Sequence, residues 1–351
     1  MGGQAVQAAR LMERLREEPS LSVDYVPHNP RLPGPLRAFQ QVKYVRTVVT
    51  TLMYLWLLVT KIPSADVIHV FAASYFSFLL APTPAVLIAR LFARPAILNY
   101  HSGECEDHLR RWSRTALPTI RLFDKIVVPS GYLVNVFARF GLHARVISNF
   151  VDTSCFVYRT RRPLRPVFLS NRNFEPHYNV AMTLRAFKII QHHRPDARLI
   201  VAGDGKLRQD LEQLSGKLGL RNVQFLGRVE QAAMPELYNQ ADIYLNSPNV
   251  DNMPVSVLEA YSSGIPVVTT NAGGIPFIVQ NGKTGLIVPR GDHATMAAAA
   301  IGLLEDDVLA TQIVQAGHEQ SSRYTWQAVR HQWLRLYNDA TAPSKYGGQD
   351  G

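Results

Sequence analysis

Short apolar runs rich in β-branched residues alternate along most of this chain with longer stretches of helical period. Ala65–Ala72 (ADVIHVFA), Ala96–Tyr100 (AILNY), Lys125–Pro129 (KIVVP) and Ala144–Ile147 read as strands, with helices between them. The rhythm resumes with Pro166–Ser170, Ala197–Gly203 (ARLIVAG), Val223–Leu226, Ile243–Asn246, Val267–Thr270 and Gly285–Val288. Strand–helix alternation predicts parallel sheets with helices on both faces. Two such series in 351 residues predict two Rossmann-like domains, at 1–160 and 161–325. The break is expected in Asp152–Pro166 (DTSCFVYRTRRPLRP), which is basic, bears prolines and lacks a clean period. An amphipathic helix follows over residues 326–340, and the polar, Gly-rich tail at 341–351 is expected to be disordered.

The beginning departs from the pattern. A Rossmann-like domain opens with a strand, a Gly-rich turn and a helix. This chain opens on the turn, Met1-Gly2-Gly3, followed by a helix, so either this domain is built without its first strand or, the expectation favoured here, the natural start lies upstream. The longest apolar run, Val48–Thr60 (VVTTLMYLWLLVT), lies between Arg46 and Lys61 and falls short of the roughly 18 residues a spanning helix needs. It reads as a buried core helix or as an interfacial helix lying on a bilayer. No apolar leader is visible at the N-terminus, and Cys105 and Cys155 are read as buried free thiols in a reducing cytosol.

Charge sharpens the division. Residues 1–165 carry 21 Lys and Arg against 10 Asp and Glu, so the first half holds the whole excess of the chain's net charge of +10. A basic half suggests an anionic partner: nucleic acid, an acidic membrane surface or a phosphorylated substrate. The basic residues are spread without a recognised nucleic-acid motif, which argues against the first.

Candidate chemistry concentrates in residues 249–270, NVDNMPVSVLEAYSSGIPVVTT, where Asp251 and Glu259 bracket an apolar segment. Proline tolerance in the first turn predicts a helix from Pro254 or Val255, with Asn252 as its cap. The positive end of that helix forms an anion site between two acids. A loop acid, a phosphate cradle and a second acid suit a nucleotide-linked sugar.

Further segments carry a resemblance. RNFEPHYNV at Arg172–Val180, AGDGKLRQDLEQL at Ala202–Leu214, NVQFLGRV at Asn222–Val229, ADIYLNSP at Ala241–Pro248 and the run Asp251–Pro289 resemble the retaining glycosyltransferases of family 4. NYHSGE and ISNFVD in the first half do so more loosely. The resemblance implies the GT-B fold, two Rossmann-like domains facing a central cleft, with an acceptor-binding first domain and a nucleotide-sugar-binding second. It also implies that the last helix crosses back to the first domain.

By the same resemblance, Glu259 binds the nucleotide ribose and Asp251, where many members have glutamate, faces the transferred sugar. The backbone of Asn252, Met253, Pro254 and Val255 holds the distal phosphate. Arg172 neutralises the diphosphate, and His177 stands where many relatives have lysine. Gly203 and Gly205 lie beside the nucleotide, with Gly227, Arg228 and Val229 bordering the base. His101 reaches the donor sugar, Gly2 and Gly3 face its phosphates, and Ser130 and Asn149 line the cleft. No metal site and no cofactor are expected. The activity implied is metal-independent hexosyl transfer, with retention, to a glycan or lipid-linked acceptor by a cytoplasmic protein peripheral to the membrane. The rival reading is a GT-B protein that binds a nucleotide-sugar or partner enzyme without turnover.

Overall fold

The computed structural model describes residues 3–31, 34 and 42–342. Gly2 and the tail beyond residue 342 therefore lie outside the described residues, and Gly3 opens the first helix. The chain forms two units. The first gathers Met1–Pro129, Leu133–Ile147 and Arg330–Gly351; the second gathers Ser130–Tyr132 and Ser148–Val329.

In the first unit, α1 (Gly3–Arg16) and α2 (Lys43–Lys61) precede β1 (Ile68–Ala72), α3 (Phe76–Leu80), α4 (Pro82–Leu91) and β2 (Ala96–Tyr100). Then come α5 (Cys105–Arg111), α6 (Ser113–Arg121), β3 (Lys125–Val128), α7 (Gly131–Arg139) and β4 (Arg145–Val146). The four strands are parallel and lie in chain order. Every residue of β2 is buried, as expected of a central strand covered on both faces. Among the described residues no strand pairs with the outer edge of β1.

The apolar run near residue 50 is longer as a helix than as a sequence. α2 has 19 residues, and Tyr44–Ser64 is long and apolar enough to cross a membrane by length and composition. It is nonetheless two-faced. Thr50, Tyr54, Leu58 and Ile62 are buried, and Tyr54 donates its hydroxyl to the Ala81 carbonyl at 3.1 Å. Tyr44, Val48, Leu52 and Trp56 recur every four residues on the other side and are 79, 59, 60 and 58% exposed. A helix packed along one side against its own domain is not a free span.

The second unit contains β5 (Val167–Ser170), α8 (Val180–His193), β6 (Arg198–Ala202), α9 (Arg208–Lys217), β7 (Val223–Gly227), α10 (Met234–Gln240) and β8 (Ile243–Asn246). α11 (Val255–Ser262), β9 (Val267–Thr270), β10 (Leu286–Val288), α12 (His293–Glu305) and α13 (Asp307–Ser321) follow. Strand residues sort alternately into two cores. Phe168, Leu199, Val201, Ile243, Leu245 and Val268 face the α8 and α12 side. Leu169, Ile200, Ala202, Tyr244 and Val267 face the α10 and α11 side. Two buried faces explain why these strands read as continuous apolar runs. The strand order is β10-β9-β8-β5-β6-β7. The chain thus builds outward from β5 in one direction, then returns to build from β8 in the other, and the crevice between β5 and β8 is a topological switch point.

The final helix, α14 (Trp326–Thr341), leaves the second unit at Val329 and continues in the first. There Tyr337 bonds His69 Nδ1 at 2.8 Å, Trp333 stacks on the His69 ring, and Arg330 grips Glu18 with two bonds of 2.5 Å. Burial holds His69 neutral, its pKa pushed down to about 3.

The basic segment expected as the break is instead packed onto the second unit, because its residues have core partners. Val151 and Phe156 join one apolar core and Leu164 the other. Buried Arg161 donates to the carbonyls of Ala241 (2.9 Å), Ser263 (2.5 Å) and Gly264 (3.1 Å), and lies 3.3 Å from Asp242. Arg159 and Arg165 also pair with Asp242, which lowers the Asp242 pKa against its burial. Cys105 is buried as expected, but Cys155 is exposed in a short turn of this segment. Replacing Arg161 with Met would leave five carbonyls without their buried cation, and Asp242 with only Arg159 and Arg165. The expected cost is roughly 3–5 kcal/mol, visible as a lowered urea midpoint with the slope unchanged.

Candidate functional site

The loops leaving β5 and β8 flank the switch-point crevice, and each carries one charged residue. Arg172 lies two residues beyond the end of β5, and Asp251 lies in the loop between β8 and α11. They meet as an ion pair, Arg172 Nη2 to Asp251 Oδ2 at 2.5 Å. Arg172 Nη1 donates to Ser256 Oγ at 3.0 Å, and the guanidinium lies 4.0 Å from the ring centre of Tyr178. The Asp251 carboxylate outweighs burial in holding Arg172 charged.

α11 starts at Val255, as its sequence predicts, but its cap differs. The N-cap is Pro254, which has no side-chain acceptor. The Asn252 amide oxygen instead accepts a short hydrogen bond from Ser130 Oγ, and the Asn252 N–H donates to Asp251 Oδ1 at 2.8 Å. Asn149 donates its amide to the Met253 carbonyl at 3.1 Å, and Met253 is buried in the core. Ser130 and Asn149 therefore brace the loop that precedes α11.

Glu259 is buried one turn into α11, a position that demands a partner. The structure supplies one through a directional chain. Tyr244 donates to Asn171 Oδ1 at 2.8 Å, Asn171 Nδ2 donates to Tyr238 at 2.8 Å, and the Tyr238 hydroxyl lies 3.0 Å from Glu259 Oε2. The Tyr238 hydroxyl also reaches the Ser256 carbonyl at 3.0 Å. Burial and the adjacent Glu259 charge raise the Tyr238 pKa far above its ordinary value, so Tyr238 remains a donor.

Glycines set the spacing of these loops. A Cβ on Gly203 would lie 2.2 Å from the Arg172 carbonyl oxygen, and one on Gly205 would lie 2.7 Å from that of Phe174. Both have φ in the glycine region, +146° and +158°. Their first task is to let the loop after β6 press against the loop holding Arg172. Gly273 and Gly274 do the same for the acid loop, where added Cβ atoms would sit 2.1 Å and 1.9 Å from the carbonyl oxygens of Asp251 and Asn252.

The remaining expected residues are scattered more widely. The His177 carbonyl accepts the N–H of Asn249 at 2.8 Å, and its ring packs on Tyr178 at 4.1 Å. Gly227 ends β7 at φ +71°, exposed Arg228 pairs with Glu230, and Val229 packs against the core. His101 belongs to the first unit, where it follows β2 and lies 5.5 Å from Phe71; burial pushes its pKa down to about 4. Among the described residues, no three His, Cys, Asp or Glu side chains group as a metal site.

Sequence reasoning passed over Asn171, Tyr178, Tyr238, Tyr244 and Ser256. The tyrosines sit in apolar patterns and read as core, which they also are; only the signal that a buried Glu259 needs a donor pointed toward them. Gly273 and Gly274 stood within a quoted motif without a role. The steric reading of Gly274 is checked by Gly274→Ala, expected to cost about 1–3 kcal/mol in a melting experiment. Gly302→Ala is the control: it lies in α12 with open space around its Cβ position and should be neutral or stabilising by up to about 1 kcal/mol.

Comparison with known proteins follows the division of the chain. Residues 160–320 match the family described as glycosyl transferases group 1, and residues 1–154 match glycosyltransferase family 4. Phosphatidyl-myo-inositol mannosyltransferase of Mycobacterium leprae is 30% identical over 244 residues, covering 68% of this chain and 59% of that protein. The chain thus spans less than two thirds of that relative's length. Among solved structures, sucrose-phosphate synthase from Thermosynechococcus elongatus aligns with TM-score 0.74 at 19% identity, covering 96% of this chain and 93% of that one. HepE of Anabaena in complex with UDP-glucose aligns with TM-score 0.72 at 19% identity, covering 82% of each. At such identities the structural likeness is one of fold, and the fold is GT-B. With one model matching each half, the chain belongs to the family 4 glycosyltransferases.

Proposed function

We propose that this chain transfers a hexose-type sugar from a nucleotide-diphosphate donor to a glycan or lipid-linked acceptor in cell-surface polysaccharide or glycolipid synthesis. Anomeric configuration is retained and no metal is required. The observation that carries this reading is the placement of Arg172, Asp251 and Glu259 around the first turns of α11, at the switch-point crevice. Glu259, held by Tyr238, binds the ribose hydroxyls. The backbone of Asn252–Val255 and the positive end of α11 hold the distal phosphate. Arg172 supplies fixed positive charge to the diphosphate as the glycosidic C–O bond breaks, the task a divalent cation would otherwise perform. The acceptor hydroxyl attacks the anomeric carbon on the face from which the diphosphate departs, and its proton passes to the departing phosphate oxygen. Asp251 is assigned to the donor sugar's hydroxyls.

HepE's complex with UDP-glucose supports a nucleotide-sugar donor, and the mannosyltransferase's name supports a lipid-linked acceptor. The face of α2 supports the same acceptor class. Its exposed stripe of Tyr44, Val48, Leu52 and Trp56, with exposed Leu87 and Leu91 on α4, belongs to the basic half of the chain. An apolar strip amid positive charge fits an acidic bilayer surface and supports a peripheral position on the inner face of the plasma membrane.

Assay against a panel of nucleotide sugars tests the reaction. Glu259→Ala and Arg172→Ala are each expected to lower kcat/KM by about 10²–10³-fold, with EDTA leaving the wild-type rate unchanged. In flotation with phosphatidylglycerol vesicles, the protein should rise with the lipid, and Trp56→Asp should leave it in the soluble fraction. A second reading, donor binding without turnover, is favoured by His177, whose ring packs on Tyr178 where many relatives have a lysine. Calorimetric binding of a nucleotide sugar with no product formed would select it.

A further inference from the structure

Asp251 has been assigned to sugar hydroxyls, yet both of its oxygens are engaged within the protein. Oδ1 accepts the Asn252 N–H and Oδ2 takes Nη2 of Arg172. The Arg172 and Asp251 side chains are 10 and 12% exposed, so the pair is largely withdrawn from water. Arg172 is incompletely satisfied there: its Nε is buried without a hydrogen-bond acceptor. A buried donor left unpaired is costly and marks a group that another arrangement would satisfy better. On the side of Gly273 and Gly274 the carbonyls of Asp251 and Asn252 are closely packed, with no room for a Cβ.

We propose that the Arg172–Asp251 pair is a latch that selects an intact nucleotide-sugar over its free nucleoside diphosphate. This rests on the donor-site reading above. A diphosphate competes with Asp251 for the guanidinium, and the displaced carboxylate loses its buried counter-charge. When a sugar is attached, its hydroxyls take over the carboxylate, and the exchange is balanced. When the diphosphate arrives alone, Asp251 is left beside it without a new donor, and two anions face one guanidinium. The sugar and phosphate contacts are thereby coupled through one carboxylate, and the product of transfer is bound less tightly than the substrate.

Isothermal titration with UDP, GDP and ADP, and with UDP-glucose, GDP-mannose and ADP-glucose, tests the latch. In the wild-type protein the preferred donor is expected to bind at least about tenfold more tightly than its own diphosphate. Asp251→Asn removes the charge but little volume, and should tighten binding of the free diphosphate about tenfold while erasing the preference for the intact donor. Asp251→Ser is a second neutral variant with the same expectation, and Asp251→Glu should keep the wild-type preference. Diphosphate binding that is unchanged or weakened in a folded neutral variant overturns the latch and leaves the donor-site reading intact. Wild-type diphosphate binding equal to or tighter than that of the intact donor overturns the latch even if no variant folds. Failure of the wild-type protein to bind any of the six ligands overturns the donor-site reading and the latch with it.

Discussion

A guanidinium withdrawn from water must have a counter-charge, and much of the second unit's site follows from meeting that need at Arg172. The strand order puts the end of β5 beside the end of β8, so the loop bearing Arg172 faces the loop bearing Asp251. Ser256 and Tyr178 complete the setting, one by hydrogen bond and one by its ring face. Closing the loops this tightly requires backbone in near contact with backbone. Glycine stands at 203, 205, 273 and 274, where a Cβ would overlap a carbonyl.

α11 is fixed at both ends by different means. Its leading loop is held by Ser130, Asn149 and the two glycines of the following loop. Behind it, Arg161 takes the carbonyls of Ser263 and Gly264, placing a cation at the negative end of the helix dipole. Between these anchors lies Glu259, oriented by a hydrogen-bond chain that begins on β8 and passes through the loop after β5. The helix thus presents its positive end and a fixed carboxylate on one rigid element, the kind of support a binding site needs to keep its geometry.

The first unit shows a different use of apolar surface. Its central strand is wholly buried and His69 is enclosed by Phe71, Trp333 and Tyr337, so much of its apolar content is spent inside. α2 divides its apolar residues between an inner face anchored by Tyr54 and Leu58 and an outer face that the rest of the unit leaves to solvent. An outer stripe of that length is unusual for a surface exposed only to water.

The sequence by itself placed the ten strands of the described residues, most directly the buried ones such as β2, β8 and β9, because a strand covered on both faces must be apolar at nearly every position and so stands out without help from its neighbours. It also marked Glu259, since a carboxylate set among apolar residues demands a partner, while Asp251 stood out as the acid before that segment and Arg172 through the resemblance of its motif. What those partners are was decided only by the tertiary structure. The β5–β8 adjacency depends on long-range strand pairing, which leaves no local periodicity in the sequence. For that reason Tyr238 and Tyr244 read as ordinary core, Arg161 as part of a basic linker, and Asn252 as a cap. Side-chain period reports which face a residue occupies; it carries no information about which distant residue lies opposite.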